Sequence, residues 1–123
     1  MIMDEYLTKS IKNWTKKEKI PTAVIREAFA DLENGKFRAN LGGHLYKVDI
    51  QKGSRSKSAG YRSFIAYKKG NIAFMIYTIE KSNRGNITSG EKKELQDYGK
   101  ALLNLNLKDL ELMLKNKVIF KVF

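Results

Sequence analysis

The sequence has no cysteine, one histidine and one proline. Without cysteine, the chain has no disulfide framework, no thiol nucleophile and no cysteine-based metal site. The single histidine, His44, has no histidine or cysteine partner, so we expect neither a metal nor any other cofactor. Gly-x-Ser-x-Gly elbows and glycine-rich phosphate loops are also missing from the sequence. These absences exclude hydrolysis by a nucleophilic triad and the binding of a nucleotide by those loops.

Long apolar runs are missing as well. No stretch approaches the roughly 18 apolar residues that a membrane-spanning helix needs. The N-terminus carries Asp4 and Glu5 and no apolar run, unlike a signal peptide. We therefore expect a cytoplasmic protein with no membrane partner. Its 123 residues predict a single domain over residues 1–123.

Positive charge is abundant and concentrated. The chain has 24 lysines and arginines against 13 acids, a net charge of +11. Residues 44–70 contain seven of these cations and one acid, a local net of +6, which is more than half of the excess. Cations gathered in one region indicate a nucleic acid or an acidic protein as partner, whereas scattered cations would mainly favour solubility.

Apolar spacing predicts four helices. The first covers residues 5–17, and the second runs from Pro21 to residue 34. The third begins at a capping box formed by Thr88 and Glu91, and a shorter helix covers residues 107–114. The predicted buried stripe of the third helix consists of Leu95, Tyr98, Leu102 and Leu105.

Strands are predicted as one contiguous run followed by a strand at the C-terminus. Residues 45–50 alternate, residues 61–68 and 71–80 form a hairpin, and residues 118–123 end the chain. Strands joined by tight turns favour an antiparallel sheet over alternating β-α units. We therefore predict an α+β fold, a central antiparallel sheet with N-terminal helices and a C-terminal helix packed on it.

A small-residue loop within residues 53–62 carries three of the basic side chains. Glycine, serine and alanine cannot bury such a loop, so we expect it on the surface, where functional groups tend to lie. More cations flank it on the predicted sheet, whose tyrosines at positions 46, 61, 67 and 77 could stack on unpaired bases. Arginine suits phosphate oxygens, and neighbouring cations can lower a lysine pKa. The competing interpretation is a solvated basic face with no specific role. The candidate cations are Lys47, Arg55, Lys57, Arg62, Lys81 and Arg84.

Three ordered motifs resemble the RelE/HigB-like toxins of bacterial type II toxin-antitoxin systems, in the RelE/ParE superfamily. They are Leu-Gly-Gly-His-Leu-Tyr-Lys at residues 41–47, Gly-Tyr-Arg at 60–62 and Lys-Ser-Asn-Arg-Gly-Asn-Ile at 81–87. The resemblance spans most of the chain. It implies a compact α+β fold and an mRNA interferase, an endoribonuclease that inhibits translation by cutting messages on the ribosome. It also implies a cognate antitoxin, often of helix-turn-helix type.

The resemblance also implies site residues. Relatives cleave without metal, because the ribose 2′-hydroxyl attacks the adjacent phosphate. Arg62 matches the arginine that stabilises the phosphorane, and Arg84 belongs to the later basic pair. Lys57 is our candidate general base, with Tyr61 in reserve, because residues 118–123 lack the tyrosine or histidine that some relatives use. The expected catalytic residues are Lys57, Arg62 and Arg84, and the expected RNA-binding residues are Lys47, Arg55, Tyr61 and Lys81.

Two other functions remain open at this point. One is a non-catalytic inhibitor of DNA gyrase with the same fold, as in the ParE branch. The other is a basic RNA-binding module without catalytic activity. Cleavage of mRNA separates both from a nuclease.

Overall fold

A computed structural model describes residues 3–51 and 60–122. The described residues form a six-stranded sheet with helices on both faces, which confirms the predicted α+β class. The sheet order is β2-β3-β4-β5-β1-β6. No helix of the described part of the chain has the length and apolar character needed to cross a membrane. The elements are β1 Asp4–Thr8, α1 Lys9–Lys17, α2 Thr22–Glu33, β2 Ala39–Asn40, β3 Leu45–Ile50, β4 Tyr61–Lys68, β5 Ile72–Glu80, α3 Ser89–Leu103, α4 Leu107–Lys115 and β6 Ile119–Lys121.

The helix predicted over residues 5–17 is wrong in its first part. Residues 4–8 form strand β1, which lies between β5 and β6, and the helix begins only at Lys9. Tyr6 packs on one face of the sheet and Leu7 on the other, as in a central strand. β1 runs parallel to β5, so the sheet is mixed, although its other neighbouring pairs are antiparallel as predicted. Because β5 lies far along the sequence, local spacing does not reveal this pairing.

The central hairpin and the helix ends follow the sequence signals. β4 and β5 pair as predicted, and Gly70 in their turn has a φ of 74°. α2 ends at Glu33, with Asn34 as its C-cap. Thr88 and Glu91 form both hydrogen bonds of the predicted capping box at the start of α3.

The sheet separates two hydrophobic cores. On one face, hereafter the α2 face, α1 and α2 pack on residues that include Ile65 and Tyr67 of β4. On the other, hereafter the α3 face, α3 and α4 pack on Phe64 and Ala66. Because successive strand residues point to opposite faces, Arg62 lies on the α3 face.

Close packing of α3 depends on Gly99. A Cβ atom at this position would lie 2.9 Å from the Cβ of Ala66, too close for any other residue without a shift. Leu95 and Leu102 pack on the α3 face as predicted. Tyr98 was wrongly assigned to the buried stripe, because it is 41% exposed and the adjacent Gly99 takes the buried position.

A candidate nucleic-acid interface

One carboxylate gathers three cations at the end of the sheet. Asp49 Oδ1 lies 2.9 Å from Lys81 Nζ and 3.3 Å from Arg62 Nε. Asp49 Oδ2 lies 3.5 Å from Arg38 Nε. These four residues are called the Asp49 cluster below. Within these four residues, one anion among three cations leaves a net charge of +2, and the acids Glu27 and Asp31 of α2 line the pocket beside Arg38 and Asp49.

Strand register explains why these residues meet. Asp49 near the end of β3 lies directly opposite Arg62 near the start of β4. Lys81 follows the end of β5, and its N–H donates to the carbonyl of Gly60 at 3.1 Å. Arg38 reaches the same place from the edge of the sheet, because its N–H donates to the carbonyl of Lys47 at 2.7 Å.

The cluster is partly withdrawn from solvent. The side chains of Lys81, Asp49 and Arg62 are only 11%, 12% and 13% exposed, whereas that of Arg38 is 59% exposed. An ion pair at this depth is screened by water much less than a surface pair. Asp49, Arg62 and Lys81 therefore form the fixed part of the cluster, and Arg38 forms its solvated rim.

Arg62 is held from two sides. Its Nε contacts Asp49, and its Nη1 donates to the backbone carbonyl of Gly85. Neither contact uses Nη2. A guanidinium fixed in this way presents its remaining N–H groups in a defined direction, as recognition of a phosphate requires.

Arg84 is positioned by the start of α3. Its Nη2 pairs with Glu91 Oε1, which also accepts from the backbone N–H of Thr88 at 2.8 Å. The hydrogen bond from the Thr88 N–H lowers the pKa of Glu91 the most, and the hydrogen bond from Arg84 lowers it further. Gly85, the next residue after Arg84, contacts Arg62, so the turn that carries Arg84 borders the Asp49 cluster.

Lys47 lies on the same face as the cluster, two residues before Asp49 on β3. Partial burial lowers the pKa of Lys47, and the positive charges of Arg62 and Arg38 lower it further. Asp49 acts in the opposite direction with a smaller effect. An amine that gives up its proton more easily than usual can serve as a base as well as a phosphate contact.

Tyr61 lies on the opposite side of the sheet from the cluster. It is 2% exposed, its hydroxyl donates to Glu18 Oε1 at 2.9 Å, and its ring packs edge-on against Trp14 at 5.0 Å. The structure therefore separates Tyr61 from Arg62, and its visible contacts serve the packing of α1. Tyr77, half-buried beside Phe64, is the tyrosine of β5 that lies on the α3 face.

The structure thus brings together Arg62, Lys81 and Lys47, with Arg84 at the border. Arg55 and Lys57 lie outside the described residues. The sequence showed Asp49 as one acid among cations, but its role was missed, because strand alternation places it on the face of Lys47 and only the register of β3 with β4 places it opposite Arg62. The sequence carried no signal for Arg38, which joins the cluster only through the short pairing of β2 with β3.

Within residues 3–51 and 60–122, no three histidine or acidic side chains are grouped so that they could hold a metal ion.

Comparison with known proteins identifies the family. The model of the family described as "RelE toxin of RelE / RelB toxin-antitoxin system" matches residues 3–122. Neither the curated proteins nor the solved structures contain a significant match to this chain. Because the family model covers almost the whole chain, the protein belongs to the RelE toxin family.

Proposed function

We propose that this protein is the toxin of a type II toxin-antitoxin pair and that it cuts mRNA on the ribosome. The observation that carries the proposal is the arginine held by Asp49 and Gly85 beside Lys81, at a partly buried and positively charged end of the sheet. Such a site suits a group that gains negative charge during a reaction.

The proposed reaction is attack by a ribose 2′-oxygen on the adjacent phosphorus. A base removes the 2′-hydroxyl proton, the bond from phosphorus to the 5′-oxygen breaks, and an acid protonates that leaving oxygen. The products are a 2′,3′-cyclic phosphate and a 5′-hydroxyl. Arg62 stabilises the phosphorane, because a preorganised guanidinium costs no reorganisation as the charge develops.

We assign Lys47 as a candidate for the general base. Its lowered pKa increases the fraction of neutral amine at a given pH, and it lies on the face that carries Arg62. Lys57 stays a second candidate from sequence. Lys81 and Arg84, together with Arg55 from the sequence, would contact flanking phosphates, and Tyr77 is a better candidate than Tyr61 for stacking on a base.

The positive charge of the Asp49 cluster also indicates the partners that we propose. Free toxin would bind mRNA and ribosomal RNA in the cytoplasm, with affinity that falls as salt rises. A cognate antitoxin of helix-turn-helix type would place an acidic segment on the Asp49 cluster and cover it. Complementary charge would make that association fast as well as specific.

The test is to express the protein briefly in a bacterial host and map new 5′ ends in cellular mRNA, with ribosomes active and with ribosomes blocked. We expect ends inside reading frames that vanish when ribosomes are blocked. Growth arrest with DNA damage and intact mRNA would instead identify a gyrase inhibitor. RNA binding with neither arrest nor new ends would identify a non-catalytic binding module.

A further inference from the structure

A second basic site lies at the opposite end of the sheet from the Asp49 cluster. It is a cavity of about 250 Å³ beside the end of α3, hereafter the Lys100 cavity. Among the described residues, none that lines it is acidic. It is lined by His44, Lys68, Lys100, Leu103 and Asn104.

The turn before β3 sets the position of Lys100. Gly42 and Gly43 both have positive φ, at 83° and 59°. Gln96 Nε2 donates to the carbonyls of Leu41 and Gly42, at 2.8 and 3.3 Å, so α3 is fixed to this turn. Lys100 lies one helical turn after Gln96, and a Cβ atom at Gly43 would lie 3.4 Å from its Cε. The aliphatic stem of Lys100 therefore lies against a position that glycine keeps open.

The other two basic side chains come from neighbouring strand ends. His44 has a φ of 64°, a left-handed conformation that non-glycine residues rarely adopt. Its carbonyl accepts from the N–H of Tyr67 at 2.9 Å, and Lys68 follows directly. The glycine turn, the end of β4 and the last turn of α3 thus place His44, Lys68 and Lys100 around one cavity.

The charge of the cavity favours an anion. The end of α3 opposes this with a partial charge of roughly −0.5. The carbonyls of Lys100 and Leu102 are, however, already occupied by the N–H groups of Asn104 and Leu105. Two lysines therefore outweigh the helix end, and the Asn104 amide can donate a further hydrogen bond. The volume of about 250 Å³ is large enough for a phosphate group, and the charge of the lining favours one.

We propose that the Lys100 cavity binds a phosphodiester group of RNA, separate from the phosphate that is cleaved. This inference rests on the proposed function, in which the substrate is mRNA on the ribosome. Lys68 lies six residues beyond Arg62 on β4, about 20 Å away at roughly 3.3 Å per residue. α3 crosses β4 between the two sites, where Gly99 contacts Ala66. The cavity therefore contacts a different part of the RNA, either the ribosomal RNA or a distant part of the message.

The test uses two double variants with the same change in charge. Lys68→Gln with Lys100→Gln removes both cations but keeps most of each aliphatic stem, so the packing on Gly43 is retained. The control, Lys108→Gln with Lys115→Gln, removes two exposed cations from α4. Affinity is measured over a series of salt concentrations, for ribosomes and for a short single-stranded RNA, and thermal unfolding checks that each variant is folded.

We expect the cavity variant to bind with a weaker salt dependence, by about 0.7 in the slope of log K against log salt, since one lost phosphate contact to single-stranded RNA contributes roughly that much. A change with ribosomes alone assigns the phosphate to ribosomal RNA, and a change with the short RNA as well assigns it to the message. An unchanged slope, or an equal change in the control, would overturn the proposal.

The two proposals fail separately. If the cavity variant shows the expected slope but wild-type protein never cuts mRNA, the cavity binds RNA and the proposed nuclease is wrong. If wild-type protein cuts mRNA on the ribosome and the slope does not depend on Lys68 and Lys100, the nuclease stands and the cavity proposal is wrong.

Discussion

Asp49 and Arg62 lie directly opposite each other on β3 and β4, with Arg62 Nε 3.3 Å from Asp49 Oδ1. The same oxygen lies 2.9 Å from Lys81 Nζ. On a surface that only attracts phosphate, an acid among the cations would reduce the attraction. The acid is explained if the cations must be held in fixed directions, and this is what separates a catalytic site from a general basic surface.

Replacing Asp49→Asn tests this role. The amide keeps the shape of the side chain but removes the charge that holds Arg62 and Lys81. We expect cleavage to fall on the order of 10²-fold, because misplacement by about 1 Å can cost that much. We expect RNA to bind at least as tightly, because the site gains positive charge. Single-turnover cleavage and equilibrium binding of the same RNA measure the two effects.

The variant also bears on stability. Loss of a charged partner in a partly buried network typically costs about 1–3 kcal/mol, so urea unfolding should show a decrease in that range. A folded Asp49→Asn protein that cleaves at the wild-type rate would show that Asp49 does not position Arg62 for the reaction.

Lys47 predicts a pH dependence of cleavage. Because its pKa is lowered, the neutral amine accumulates below the ordinary value of 10.5, and the rate should rise with pH and level off above the lowered pKa. Lys47→Arg keeps the cation at every pH. We expect it to lose the rising part of the profile and roughly 10²–10⁴-fold of the rate.

The control is Lys92→Arg, an exposed position on α3. An unchanged profile in Lys47→Arg would remove Lys47 as the base and leave Lys57.

The lowered pKa of Lys47 also makes the stability of the protein depend on pH. The unfolded chain binds this proton more readily than the folded chain does, so the contribution of Lys47 should make stability rise with pH between the lowered value and 10.5.

Gly99 predicts a packing defect. A methyl group at this position would lie 2.9 Å from the Cβ of Ala66, so Gly99→Ala must push α3 away from β4. We expect a loss of about 1–3 kcal/mol in the free energy of unfolding. Gly90→Ala is the matched control, because among the described residues its Cβ would meet only Thr88 Oγ1, at 3.9 Å. It should be stabilised by about 0.5–1 kcal/mol, and equal effects of the two substitutions in urea would contradict the packing assignment.

The capping box of α3 connects stability with the position of Arg84. Thr88→Ala removes the side chain that accepts from the Glu91 N–H at 3.1 Å and should cost about 1 kcal/mol, whereas Thr88→Ser should cost much less.

Glu91 makes the stability of the fold depend on pH, because its pKa is lowered in the folded state. Its stabilising effect is fully present above pH 4.5 and is lost as the pH falls through the lowered pKa. Comparing Glu91→Gln with the wild type over acid pH measures it. A difference in stability that does not change with pH would contradict the assignment.

Signals within a few residues predicted local structure well. The hairpin of β4 and β5, the end of α2 and the capping box at Thr88 each depend on neighbours that a short stretch of sequence contains. Strand β1 could not be predicted in this way, because residues 4–8 become a strand only by pairing with β5 and β6. The apolar residues of β1 have a spacing that also fits a helix, so the helix predicted for α1 was wrongly extended back to residue 5.

The site was predicted as a group of cations but not as a geometry. The motifs singled out Arg62, Lys81 and Arg84, and the structure places them at one end of the sheet. The face on which Tyr77 lies depends on the irregularity of the β4–β5 pairing between Phe64 and Ile65, which the sequence does not reveal. Tyr61 was wrongly expected beside the cations, because strand alternation turns it to the face opposite its neighbour Arg62, and it is buried on the α2 face.

Arg62 provides the most direct test of the account. Arg62→Ala is compared with Arg26→Ala, which removes an exposed arginine from α2, in cleavage of ribosome-bound mRNA and in binding to the same complexes. If Arg62 stabilises the transition state, Arg62→Ala should reduce cleavage by about 10²–10³-fold, the range for loss of one such group, and reduce affinity less than tenfold. Arg26→Ala should change neither. An equal, modest loss of binding and cleavage in Arg62→Ala would contradict the account, because Arg62 would then be only one phosphate contact among several.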